Sequence, residues 1–206
     1  HLTVTVLPEL GLKAQPAKKK VDRSKLPMTT EPSGVELPPL SRFVLRNGME
    51  VFLAERHAVP LVNLELFWPY GTAAQPGAGQ FEMLLGMLSE GAAGKDAEAL
   101  TAAYGELGAH FGGYLDADHM GVMLSAPRTR LAEALALFAD NIRQPDFPAD
   151  ALERRVKRKL ASLNAATASP AGVLSLNQLR LLYGNHPYGR FNNLALLRAG
   201  SESLTA

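Results

Sequence analysis

The apolar positions of this chain switch between strand-like and helix-like spacing, and the switches outline a fold. Val62, Leu64, Leu66 and Trp68 alternate with polar residues such as Asn63 and Glu65, which predicts a strand in a sheet with one covered face. Just upstream, residues 42–46 and 49–55 flank Asn47-Gly48, a dipeptide that supplies the positive φ angles of a tight hairpin turn. Residues 77–90 are apolar nearly all round, with Phe81, Met83, Leu84, Leu85, Met87 and Leu88, and predict a helix buried between other elements. Asp96 is placed to cap a helix that runs to Leu107, with Leu100 and Tyr104 at core spacing and Gly108 as its stop. Residues 110–115 and 119–125 return to strand character around Asp116-Ala117-Asp118, a second hairpin.

Three helices then follow in a row. Leu131, Leu135, Phe138 and Ile142 mark the first, Leu152, Val156, Leu160 and Leu163 the second, and Ser169-Pro170 opens a third that Gly184 closes. They are expected to cover the sheet. The fold class is therefore α+β, an antiparallel or mixed sheet covered by helices.

The flanks read differently. Residues 2–7 alternate like a strand and stop at Pro8, so residues 1–8 are expected to be the last strand of a preceding domain. Residues 9–40 are rich in Pro, Lys, Gly and Ser without periodicity and predict a linker, in which Lys18-Lys19-Lys20 is a solvated run. The folded domain is expected over 41–198, and 199–206 as the start of a further segment.

Composition narrows the function classes. A net charge of +1 over 206 residues gives no electrostatic reason to expect nucleic acid or an acidic membrane as partner. Cysteine is absent, which excludes a disulfide framework and thiolate metal sites, and no apolar run is long enough for a membrane span. Residues 77–80 lack the context of a dinucleotide loop, and neither a phosphate loop nor a serine-nucleophile elbow occurs. The basic cluster Arg154, Arg155, Lys157, Arg158 and Lys159 lies off the apolar stripe of its helix and reads as a solvated face. His110 and His119, on the predicted strand pair, read as ordinary strand residues rather than as a ligand couple.

Several short stretches carry more than their periodicity. They are Leu45-Arg46-Asn47-Gly48-Met49-Glu50-Val51, the segment from Pro76-Gly77 to Glu90-Gly91, Leu107-Gly108-Ala109, Gln144-Pro145-Asp146-Phe147-Pro148, and Leu182-Tyr183-Gly184-Asn185-His186-Pro187-Tyr188-Gly189. In this order and spacing the chain resembles the N-terminal domain of a pitrilysin/insulinase-type zinc metallopeptidase half. The flanking strand, the linker with Asp22-Arg23-Ser24-Lys25-Leu26-Pro27 and the new domain start resemble the junction in bacterial members that carry two halves on one polypeptide.

Active members of that family hold zinc with an inverted H-x-x-E-H on the buried helix, the glutamate acting as general base, and with a downstream glutamate as third protein ligand. Here the resemblance aligns Glu82 and Gly86 with the two histidines, Leu85 with the base, and a position at or near Glu153 with the downstream glutamate. The chain is thus expected to have no catalytic or metal-binding residues and to bind no cofactor itself. Zinc belongs to a catalytic half, and this chain is expected to be inactive alone. The resemblance implies a non-catalytic half that pairs with the catalytic half, on the same polypeptide or as a subunit, to enclose peptide substrates for proteolysis. The alternative is a binding or assembly subunit with no peptidase activity. It also implies substrate contact as an added strand near Phe111, Gly112, Gly113 and Tyr114, where the glycines mark a bulge or ease close approach. Export of bacterial two-half members implies a periplasmic location.

Overall fold

Alternation in the 61–68 segment becomes an eight-residue strand because a partner of equal length pairs with all of it. In the computed structural model, which describes residues 37–204, β3 (Leu61–Trp68) lies antiparallel to β7 (Met120–Pro127), in register from Leu61 opposite Pro127 to Trp68 opposite Met120. The other side of β7 carries β6 (His110–Leu115), giving the antiparallel order β3-β7-β6. As the central strand, β7 is the most deeply covered, and Val122, Leu124 and Ala126 on its inner face are at most 1% exposed.

The described residues fall into two compact units, divided after Arg56. The first holds the hairpin of β1 (Leu40–Val44) and β2 (Glu50–Ala54), with Leu40 opposite Ala54 and Val44 opposite Glu50. Its turn differs from the tight two-residue type expected of Asn47-Gly48. The Gly48 amide donates to the Leu45 carbonyl at 2.9 Å, the Leu45 amide to Met49 at 2.8 Å, and Gly48 alone takes a positive φ of 84°. This is a three-residue loop closed by a glycine in the left-handed region, with the Asn47 side chain accepting from the Met49 amide at 3.1 Å. The strand expected over residues 2–7, the lysine run and residues 9–36 of the linker lie outside the described residues.

The second unit adds helices to one face of the three-stranded sheet. After β3 come α1 (Gln80–Met87), a small ladder of β4 (Gly91–Ala92) with β5 (Lys95–Asp96), and α2 (Ala97–Glu106) ahead of β6. After β7 come a single 3-10 turn (Arg128–Arg130), α3 (Leu131–Arg143), α4 (Ala149–Ala166), α5 (Pro170–Tyr183), α6 (Pro187–Arg190) and α7 (Leu194–Glu202). Asp96 caps α2 by accepting the Ala99 amide at 2.9 Å, and Ser169 caps α5 by accepting the Gly172 amide at 3.1 Å, so both predicted starts hold.

Not all three successive helices cover the sheet. The first, α3, packs on β7, whereas α4 packs chiefly against α7, α5 and α1, and α5 against α6. The remaining cover comes from α1 and α2, which contact β6. The buried stripe of α3 is Ala134, Leu137, Phe138 and Asn141, one step round from the predicted one, because the helix turns its small Ala134 to the sheet. Asn141 is fully buried and donates to the Leu88 carbonyl at 3.1 Å, which fixes the end of α1 against α3.

The β4–β5 ladder escaped the sequence reading because each strand has two residues. Its turn is Ala93-Gly94, with φ 50° and 77°, and Ala93 is the only non-glycine residue at positive φ among the described residues. Ala93 donates to Gln144, Asp146 donates to Gly91, and the Asp146 carboxylate accepts the Gly94 amide at 3.0 Å, so the Gln144-Pro145-Asp146 stretch locks this turn. A left-handed alanine costs about 1–2 kcal/mol, most of which asparagine avoids. Ala93→Asn is therefore expected to raise the unfolding free energy by about 0.5–1 kcal/mol in urea titration.

Candidate functional site

The candidate site lies where α1 meets α4. Met83 and Met87 of α1 are buried against Ala151 and Leu152 of α4, with Val156 and Leu204 at the margin of the same cluster. On another face of α1, Leu85 packs with the main core beneath the sheet, near Gly113. The helix is therefore held between the sheet and α4, as its apolar character predicts, although Leu84 stays 40% exposed.

Glu82 and Gly86 lie one turn apart on the side of α1 that faces α4, and Glu90 follows just after the helix ends. Glu82 accepts from Lys159 Nζ at 2.6 Å, and Glu90 accepts from Arg155 Nε at 2.6 Å and lies 3.7 Å from Arg154. Between these pairs the Arg155 guanidinium passes over Gly86, inside the distance at which a Cβ there would meet it. Arg155 and Lys159 are themselves one helical turn apart on α4 and only a quarter exposed, so for these two the solvated-face reading of the basic cluster is corrected. Lys157 and Arg154 do point outward, each to an acidic residue four positions back on its own helix, Glu153 and Asp150 respectively. These cations hold both carboxyls below their ordinary range, chiefly through the side-chain hydrogen bond.

The positions aligned with a zinc site are thus not assembled as ligands. Glu82 already has a cationic partner, Gly86 and Leu85 offer no donor atom, and Glu153 faces its own helix rather than α1. Two cations stand between the helices, and a divalent metal there would meet repulsion instead of lone pairs. The residues present do not fit the metal. Among the described residues, no group of three His, Cys, Asp or Glu side chains is placed to hold one. His110 and His119 sit at opposite ends of the β6–β7 ladder, so they do not form a couple.

The second candidate, the strand at Phe111 to Tyr114, is β6, which stands at one end of the sheet order. Its register runs without interruption from His110 opposite Ser125 to Leu115 opposite Met120, so Gly112 and Gly113 do not form a bulge. Phe111 faces the core, stacked on Tyr104 at 5.8 Å and edge-on to Phe138 at 5.9 Å. Tyr114 lies across Gly121 on the other face and bonds to Glu65. That hydrogen bond, followed by burial, pushes its hydroxyl up to about 12. Tyr104 is also raised, by burial first and the Asp140 carboxylate second.

At the far end of this hairpin, the Asp116-Ala117-Asp118 turn is gripped from two sides. Thr72 and Ala73 donate to the carbonyls of Asp116 and Ala117 at 2.8 and 3.0 Å, and the Tyr188 hydroxyl bonds to the Asp118 carboxylate at 2.8 Å. The His186 ring accepts the Tyr188 amide at 3.3 Å, so the His186-Pro187-Tyr188-Gly189 stretch serves as a clasp for the turn. Two amides, those of His119 and Asp118, hold the Asp116 carboxyl below its ordinary range.

The residues that sequence reasoning missed are Arg155, Lys159 and Glu90. A signal was present: two basic residues four apart on one helix, matched to one acidic residue on another helix and a second just past that helix's end.

The profile described as Insulinase (Peptidase family M16) matches residues 70–191. A crystal structure of a peptidase M16 inactive domain from Pseudomonas fluorescens is 28% identical with a TM-score of 0.70, covering 80% of this chain and 42% of that one. A protease from Helicobacter pylori shares the fold at 16% identity and TM-score 0.67, covering 82% of this chain and 41% of that one. The periplasmic protease PqqL from Escherichia coli does so at 14% and 0.61, covering 91% and 23%. The chain therefore spans less than half the length of each of these structures. Among curated proteins, none matches. With more than half of its residues matched by the profile, this chain belongs to the insulinase family of peptidases, family M16.

Proposed function

We propose that this chain is the non-catalytic α+β domain of a two-half M16 protein, and that it pairs with a catalytic half to enclose peptide substrates. The observation that carries the reading is the α1–α4 seam, where two ion pairs stand in place of ligands and a general base. The similarity to the peptidase M16 inactive domain supports it. On this reading zinc and the hydrolytic water belong to the partner half, and this domain contributes chamber wall. β6 ends the sheet order, and its unpaired edge is a place where an extended peptide can add as a strand. Among the described residues no helix is long and apolar enough to cross a membrane. We assign the protein to the periplasm on its resemblance to exported two-half members, an assignment that cell fractionation tests.

The test is reconstitution. The purified chain, supplied with zinc chloride, is expected to bind less than a tenth of an equivalent of zinc and to leave a fluorogenic peptide library intact. Added to a separately purified catalytic half carrying H-x-x-E-H, it is expected to form a complex and to raise cleavage at least tenfold, since a chamber needs both walls. Stoichiometric zinc together with cleavage by the chain alone would sink the reading.

A further inference from the structure

The seam between α1 and α4 is built around one small residue. Glu82 and Gly86 of α1 and Glu90 just beyond its end present acid, gap and acid in turn, while Lys159 and Arg155 present two cations along α4 in the opposite direction. The two pairs are short, at 2.6 Å each, and the Arg155–Glu90 pair is sheltered, with side chains 25% and 15% exposed. Reaching Glu90 takes the Arg155 guanidinium directly across the Gly86 Cα, where any Cβ would overlap Nη1. A glycine within a helix otherwise weakens it, by about 1 kcal/mol relative to alanine or about fivefold in an equilibrium constant. The three atoms nearest to where that Cβ would stand all belong to Arg155.

We infer that Gly86 is the clearance for Arg155, and that Arg155 with Lys159 forms a cationic cross-link of the chain's own that joins α1 to α4 and closes the space between them to a metal ion. This deepens the proposed function, on which its second clause rests: the domain lacks metal ligands, and the ligand position itself is filled by a fixed positive charge. Returning histidines to α1 is therefore not enough to recover a metal site, because the guanidinium occupies the space beside residue 86 and repels a dication there.

The experiment is a pair of double-variant comparisons on the full chain. In urea unfolding, Gly86→Ala is expected to raise the folding equilibrium constant about fivefold when Arg155 is already alanine, the gain that helix propensity alone predicts. With Arg155 present it is expected to give no gain or a loss, because the new methyl displaces the guanidinium from Glu90. The ratio of the two effects is at least about fivefold. In zinc chloride titrations, Glu82→His with Gly86→His is expected to bind at least tenfold more weakly with Arg155 than with Arg155→Ala. Should the histidine variants fail to fold, as judged by circular dichroism, the alanine comparison decides. An equal gain from Gly86→Ala in both backgrounds overturns the clearance, and equal zinc affinity in both overturns the exclusion of metal. Neither result bears on whether the unaltered chain cleaves peptides, so the proposed function stands or falls separately.

Discussion

Truncating Phe138 to alanine is expected to lower the unfolding free energy by about 3–5 kcal/mol, the range for an aromatic side chain lost from a packed core. Phe138 is 5% exposed and stands edge-on to Phe111, which stacks in turn on Tyr104, so one ring from α3 closes a three-ring file across β6 and α2. Its loss leaves a cavity and also frees the two remaining rings to rotate away from their offset contacts. Urea titration of the single variant measures the effect. A change below about 1 kcal/mol would mean that the file collapses onto the space and that the core is not organised around it.

Gly200→Ala is expected to destabilise by about 1–3 kcal/mol, although alanine is the better helix former. Residue 200 lies in α7, and a Cβ there would fall inside van der Waals contact of the Ala78 backbone carbonyl, a neighbour that has no rotamer in which to escape. The internal control is Gly105→Ala in α2, where nothing lies within 4 Å and helix propensity acts alone. That variant is expected to stabilise by about 0.5–1 kcal/mol. Opposite signs for two glycine-to-alanine changes in helices are the measurement. A gain at both positions would show that α7 is not seated against the loop before α1, and that the helix is free to lie elsewhere.

The elements were legible in the sequence where local chemistry dictates them. Asp96 and Ser169 cap the helices they were expected to cap, and Val62, Leu64, Leu66 and Trp68 face the covered side of the sheet. The family could be read because its short motifs lie at turns whose backbone geometry fixes their composition, as at Gly91 and Gln144-Pro145-Asp146. What escaped the sequence were relations between elements. Which of three amphipathic helices lies on the sheet depends on the space the others take, and α1 and α2 had already taken part of it. Arg155 and Lys159 looked solvated because a long basic side chain gives the same pattern whether its head meets water or a carboxylate on another helix. The same limit applied at Gly112 and Gly113, since a pair of glycines reads alike in a bulge and in a regular ladder.

The clasp on the β6–β7 turn has a consequence for synthesis. The sheet is complete once residue 127 has been made, but Tyr188 must reach back 70 residues to bond with Asp118. Before Tyr188 has been made, the turn can be held only from the Thr72 side. Until Tyr188 has emerged the hairpin tip lacks this second hold, and it closes only once that long loop has been drawn in.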